Sequence, residues 1–241
     1  MQANLSAKLT AWAVHVFTAS GLLSAFMALL AAVEQDWRET MLWLLLCLVI
    51  DGIDGTFARI AKVKEVLPHV SGKYIDYVID FFTYAILPAY MYFETSGLDE
   101  FAKYFSTFMI LLVSALYYGI EDMTSADGKH FVGFPVMWNM VVYMIIFVFP
   151  DAPPYYVFTA VLILAVMHFL PIYFAYPSMG GRWWPATLGA TIIFIGAAIW
   201  NVWTYPQVNE IGRWMAIGST LYFGVLAAVD TYEARNEQIH A

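Results

Sequence analysis

The chain has 241 residues, of which 61% are hydrophobic and 12% charged, with a formal net charge of −8. A soluble domain carries about 25% charged residues, so a mean hydropathy of +0.67 describes an integral membrane protein. The acidic balance argues against nucleic acid, which requires a basic footprint. The single cysteine, Cys47, excludes a disulfide within the chain.

The first apolar stretch, Ala11–Val33, runs for 23 residues without a charge. A cleaved signal has an apolar core of only about 7–15 residues, so this one reads as a retained helix. A membrane-crossing helix needs about 20 mostly apolar residues. That rule predicts eight spans, at 11–33, 40–61, 73–93, 102–120, 132–149, 155–176, 183–203 and 210–229. Polar or helix-breaking segments separate them, among them ETSGLDE, PDAPP and PSMGGR. No Ser- or Pro-rich linker intervenes, so 1–241 is expected to form a single integral membrane domain of all-α class.

Eight spans put both ends of the chain on one side. Lys8, Arg59, Lys62, Lys64, Lys73, Lys129, Arg182 and Arg235 fall on that side, against Arg38, Lys103 and Arg213 on the other. The positive-inside rule then makes that side cytoplasmic, and the expected location is a bacterial inner membrane.

The second span is apolar only in its first half; Asp51, Asp54 and Arg59 occupy the rest. An aspartate at membrane depth costs about 2.5–3.5 kcal/mol on insertion scales, and Asp76 and Asp80 follow in the third span. Asp51 and Asp54 lie three apart and share a helix face with Gly55 and Ala58. Gly72, Asp76 and Asp80 lie four apart and form a second stripe. Two facing helices would project these carboxylates into one cleft. That donor set suits one or two hard divalent ions, Mn²⁺ or Mg²⁺. Arg59 adds a fixed charge suited to phosphate oxygens. The competing explanation is a structural network in which Arg59, Lys62, Lys64 and Lys73 neutralise the carboxylates.

The segment DGIDGTFAR followed by GKYIDYVID resembles the signature of the CDP-alcohol phosphotransferase family, D-x-x-D-G-x-x-A-R…G-x-x-x-D-x-x-x-D. Asp51, Asp54, Gly55, Ala58, Arg59, Gly72, Asp76 and Asp80 fill its fixed positions. Twelve residues separate Arg59 from Gly72, where most members have a shorter connection. That spacing, the chain length and the segment DGKHFVGFPVMWN resemble the bacterial phosphatidylcholine synthase branch. The resemblance implies a six-helix core plus two helices, and transfer of a phosphatidyl group from CDP-diacylglycerol to choline with release of CMP. It implies that Asp51, Asp54, Asp76 and Asp80 hold the metal, with Asp80 also the general base. Gly55, Ala58, Arg59 and Gly72 would then receive the CDP moiety, and the enzyme would be a homodimer.

Choline is a quaternary ammonium, and sites for it use aromatic faces and a nearby carboxylate. Tyr117, Tyr118, Glu121, Asp122 and Trp138 offer both, and Lys129 could meet the lipid phosphate. His15, Thr18 and Ser20 are polar groups in the first span, with His15 expected to hydrogen-bond inside the bundle. His168 near Pro171 reads as a core histidine, and Trp183, Trp184, Trp200, Trp203 and Trp214 as interfacial anchors. Other readings are a family member acting on serine, inositol phosphate or glycerol-3-phosphate, or an ion-coupled transporter. An anionic acceptor would need a further basic cluster, and a transporter a matching acidic segment in the second half; neither occurs.

Overall fold

The computed structural model describes residues 4–120, 123–125, 128–177 and 183–240, with side chains described up to residue 236. The chain divides into two units, Met1–Leu87 and Pro88–Ala241.

The first unit opens with a helical hairpin. α1 (Leu5–Val33) starts where the Asn4 side chain accepts from Ala7 N at 2.8 Å, satisfying a donor that helix starts leave open. Its buried face carries small residues at helical spacing, including Ala11, Gly21, Ala25, Ala28 and Ala32. Such a stripe lets a neighbouring backbone come close, and α2 (Trp37–Ile60) packs along it. The turn between them passes through Gln35 at φ 58°, and Asp36 caps α2 by accepting from Glu39 N at 2.9 Å.

The long connection after α2 is not a bare loop. Lys62 at φ 48° turns the chain into a short helix, α3 (Val63–Val66). Val63 is buried against Ala11 and Val14 of α1, with Ala58, Ala61, Val66 and Leu67 packed around them. Burial therefore holds the extra residues on the bundle. α4 (Gly72–Asp80) follows, and the helix continues as a π turn over Phe81–Ile86 into α5 (Leu87–Thr95). π turns are rare and occur mostly at functional sites; this one starts immediately after Asp80.

In the second unit, α6 (Glu100–Tyr118) is capped by Asp99, which accepts from Ala102 N at 3.1 Å. The Tyr155 hydroxyl also donates to Asp99, and these hydrogen bonds hold that carboxyl below its ordinary range. α7 (Trp138–Tyr143) runs into a second π turn, Met144–Val148. α8 (Pro154–Met167) begins with a proline where its missing N–H is harmless. α9 (Trp184–Thr204) and α10 (Glu210–His240) pack on one another, joined by a Thr187–Tyr222 hydroxyl contact at 3.0 Å.

Among the described residues, five helices are long and apolar enough to cross a bilayer: Leu5–Val33, Trp37–Ile60, Glu100–Tyr118, Trp184–Thr204 and Glu210–Asn236. The chain is a helical membrane protein. Of the other expected spans, 73–93 is the composite of α4, π turn and α5. The spans expected at 132–149 and 155–176 are helical only over Trp138–Val148 and Pro154–Met167. Their remaining residues correct the purely helical expectation. β1 (His130–Val132) pairs antiparallel with β2 (Tyr173–Ala175), with Phe131 opposite Phe174. Pro171 has no N–H and its ring obstructs a continuing helix, so the freed backbone groups are satisfied across strands. Gly133 makes the corner: it has φ +87°, and its N–H donates to Ile172 O at 2.8 Å.

A side chain at Gly133 would place Cβ 2.0 Å from the His168 carbonyl oxygen. Gly133→Ala should therefore destabilise this unit by more than the 1–2 kcal/mol that a left-handed conformation alone costs, as about that much is lost per residue. A clear fall in melting temperature in detergent is the expected result. An unchanged temperature would contradict the corner geometry.

Candidate active site

α2 and α4 bring three of the expected carboxylates together. Asp51, Asp76 and Asp80 each present an oxygen, and these oxygens lie within 4.8 Å of one another. Two ligands of a single Mg²⁺ or Ca²⁺ ion, at metal–oxygen distances of about 2.0–2.6 Å, cannot be more than about 4–5 Å apart. The spacing fits one hard cation, and carboxylate oxygen is the donor such ions take. All three residues are partly buried, between α2 and α4.

Asp54 is placed differently. It is buried on α2, outside the group of three, with Thr18 of α1 beside its carboxylate. Asp51 has a further partner that the motif does not contain: the Tyr84 hydroxyl donates to its Oδ2 at 2.8 Å. Tyr84 sits in the π turn, four residues after Asp80. The stripe Gly72, Asp76, Asp80 thus extends to Tyr84 at the same interval, and that interval was the available signal for it.

The basic residues do not neutralise this cluster. Among the described residues, none of Arg59, Lys62, Lys64 and Lys73 forms an ion pair with Asp51, Asp54, Asp76 or Asp80. Arg59 is exposed and folds back along its own helix, donating from Nη2 to Thr56 Oγ1 at 2.9 Å. Its Nη1 lies 3.5 Å from where a side chain on Gly55 would begin. Lys73 lies 5.1 Å over the Tyr77 ring. The structural network weighed against a metal site is therefore absent from these residues, and Asp51, Asp76 and Asp80 form a group that could hold a metal ion.

The small residues of the motif have distinct surroundings. Ala58 packs against the Ala11, Val14 and Val63 cluster. Gly72 opens α4 against the His15 ring, where a side chain would meet Cε1 at 3.3 Å. His15 is buried, but the hydrogen bond expected for it within the bundle is not made at Nε2.

The residues expected at choline lie in the second unit. Tyr117 is buried and donates to Val132 O at 3.1 Å. Trp138 is fully buried, stacked on His168 at 5.4 Å, and donates from Nε1 to Ser114 Oγ at 2.9 Å. His168, also edge-on to Phe134 at 5.3 Å, donates from Nδ1 to Leu164 O at 2.8 Å, so it is the core histidine expected. Tyr118 is partly exposed and Lys129 exposed. Glu121, Asp122 and Arg182 lie outside the described residues. Trp183, Trp184, Trp200, Trp203 and Trp214 are all exposed, as anchors would be.

No family model matches the chain. Individual proteins do. A protein named phosphatidylcholine synthase from Rhizobium johnstonii is 36% identical over 223 residues, 92% of this chain and 91% of that protein. One of the same name from Pseudomonas aeruginosa is 37% identical over 231 residues, covering 93% and 95%. A third, from Borreliella burgdorferi, is 32% identical over 231 residues, covering 94% and 96%. Similarity of this degree, reaching far beyond the aspartate motif and shared with distant bacteria, makes this chain a member of the phosphatidylcholine synthase family.

Proposed function

We propose that the chain transfers the phosphatidyl group of CDP-diacylglycerol to the hydroxyl of choline and releases CMP. The observation that carries this reading is the group of three carboxylates with no basic partner among the described residues, in a chain whose relatives are phosphatidylcholine synthases. Asp51, Asp76 and Asp80 would hold one divalent ion, and Asp54, on the same face of α2 as Asp51, would complete a second site with them. Bound there, Mn²⁺ or Mg²⁺ would offset charge that develops on the diphosphate oxygens.

The chain's own groups do the rest. Asp80 accepts the proton of the choline hydroxyl, whose oxygen forms a bond to the phosphatidyl phosphorus. The bond from that phosphorus to the oxygen of CMP breaks, and CMP leaves with the electron pair. Arg59, steadied by Thr56, faces the phosphates. Gly55, which has only Arg59 Nη1 near the place of a side chain, leaves room for the cytidine, with Ala58 and Gly72 as small residues beside it. Tyr84 fixes the orientation of Asp51 as an outer partner of a ligand.

For the architecture, we read the composite 72–95 and the shorter apolar helices 138–148 and 154–167 as the remaining three of eight spans of one membrane domain. The termini and carboxylates face the cytoplasm of the bacterial inner membrane, and the enzyme is a homodimer. Single cysteines at residues 4 and 236, added to Cys47→Ala protein, should react with an impermeant thiol reagent only after the cytoplasmic face is opened. The mass in detergent should be twice that of the chain. Reaction of one terminus from outside, or a monomer at every concentration, would overturn the respective statement.

Activity should disappear in excess chelator and return with Mn²⁺ or Mg²⁺. Asp51→Asn, Asp76→Asn and Asp80→Asn each remove a ligand charge without changing shape and should abolish turnover in folded protein. Tyr84→Phe should keep activity at saturating metal but weaken metal affinity about 10-fold, the lower end for an outer partner. Full activity of the asparagine variants would sink the metal assignment.

The acceptor is tested by supplying labelled choline or labelled serine with CDP-diacylglycerol. Phosphatidylcholine should form with choline, and no lipid product with serine. Product with serine alone would move the chain's activity to a different acceptor.

A further inference from the structure

α1 is apolar along most of its length, yet its buried face carries His15 and Thr18, one turn apart. Thr18 stands beside Asp54, as described, and His15 stands against Gly72. The His15 side chain is 4% exposed, and its Nε2 has no hydrogen-bond partner. A buried polar nitrogen left unpaired is costly, so such groups in native structures ordinarily have a partner. His15 lies outside the group of carboxylates whose oxygens converge.

Its position names the partner. Gly72 opens α4, and Asp76 follows one turn later, about 6 Å along the axis. That step is comparable to the separation of a nucleotide's α-phosphate from its sugar. With the phosphates at Asp51, Asp76 and Asp80, the nucleoside passes Gly72 and reaches His15. Gly72 presents no side chain there, and one would meet the imidazole at 3.3 Å. Nε2 is closed to solvent, so a ligand engages it only when the ring turns from its seat against Gly72.

We infer that His15 hydrogen-bonds through Nε2 to the nucleoside of the substrate, either a ribose hydroxyl or an edge of the cytosine. This rests on the reading of the site as one for CDP-diacylglycerol. Trp12 lies edge-on to the imidazole, with ring centroids 6.0 Å apart.

The test uses CMP binding to the purified chain in detergent with Mn²⁺, followed by calorimetry. His15→Phe keeps a ring and removes the nitrogen. It should weaken CMP about tenfold, the value of one hydrogen bond, and raise KM for CDP-diacylglycerol in proportion. KM for choline should stay within about twofold, and the melting temperature without nucleotide should not fall, because an apolar isostere at an unpaired site is near neutral. In the wild type, a matching loss with 2′-deoxy-CMP would identify the 2′-hydroxyl. Equal binding of CMP and 2′-deoxy-CMP, with the His15→Phe loss on both, would leave the cytosine or the 3′-hydroxyl. Unchanged CMP affinity in His15→Phe, together with wild-type binding, overturns the assignment of His15 alone. A wild type that neither binds CMP nor turns over CDP-diacylglycerol overturns the reading beneath it. Should His15→Phe fail to fold, His15→Leu decides by the same affinity criterion.

Discussion

Four aspartates on two helices of the first unit have no basic partner among the described residues. Coulombic repulsion among like charges within about 5 Å is strong wherever water is scarce, and Asp51, Asp76 and Asp80 sit within that range. Basic residues are near in sequence, yet Arg59 turns back to Thr56 and Lys73 to the Tyr77 ring. The unit tolerates this arrangement because other forces hold it. The small-residue face of α1 packs closely on α2, and α3 seats Val63 against Ala11 and Val14. Packing on one side of these helices supplies stability, and the group of three carboxylates that could hold a metal ion takes no part in that packing cluster.

Helical periodicity made the carboxylate site readable from the chain alone. Intervals of three and four residues put Asp51 and Asp54 on one face and Gly72, Asp76 and Asp80 on another, and a helix preserves such intervals without knowledge of its neighbours. The same logic extended one step further reaches Tyr84, which a motif ending at Asp80 leaves out. What the period does not encode is which side chains turn toward which helix. Asp54 shares the face of Asp51, yet it is set beside Thr18 while Asp51 joins Asp76 and Asp80. Equally, the lysines and Arg59 are close enough in sequence to suggest pairing, and their actual partners depend on side-chain direction.

The second unit was less legible for a related reason. Hydropathy detects apolar length, and it drew Val132 of β1 and all of Tyr173–Ala175 into the expected spans 132–149 and 155–176. Their pairing is a non-local event, decided by Pro171 ending one helix and Gly133 turning the chain at positive φ. Both signals are present as single residues, but neither states a partner. Of the aromatic residues considered for choline, Tyr117 and Trp138 hydrogen-bond to Val132 O and Ser114 Oγ inside the unit.

The π turn after Asp80 connects helix geometry to the chemistry of the cluster. A regular α-helix would continue the Gly72, Asp76, Asp80 stripe with a drift of about 40° at each four-residue step, since four residues exceed one turn of 3.6. Inserting a π turn changes that phase at the point where the stripe leaves the carboxylates. Tyr84, carried by the turn, is buried and aims its hydroxyl at Asp51 across to α2. π turns cost hydrogen-bond quality, and their persistence usually reflects a functional demand. Here the demand is orientation. The tyrosine donor on Oδ2 fixes the rotation of the Asp51 carboxylate. The helix irregularity and the carboxylate group are therefore parts of one arrangement, in which the π turn carries the tyrosine that holds Asp51.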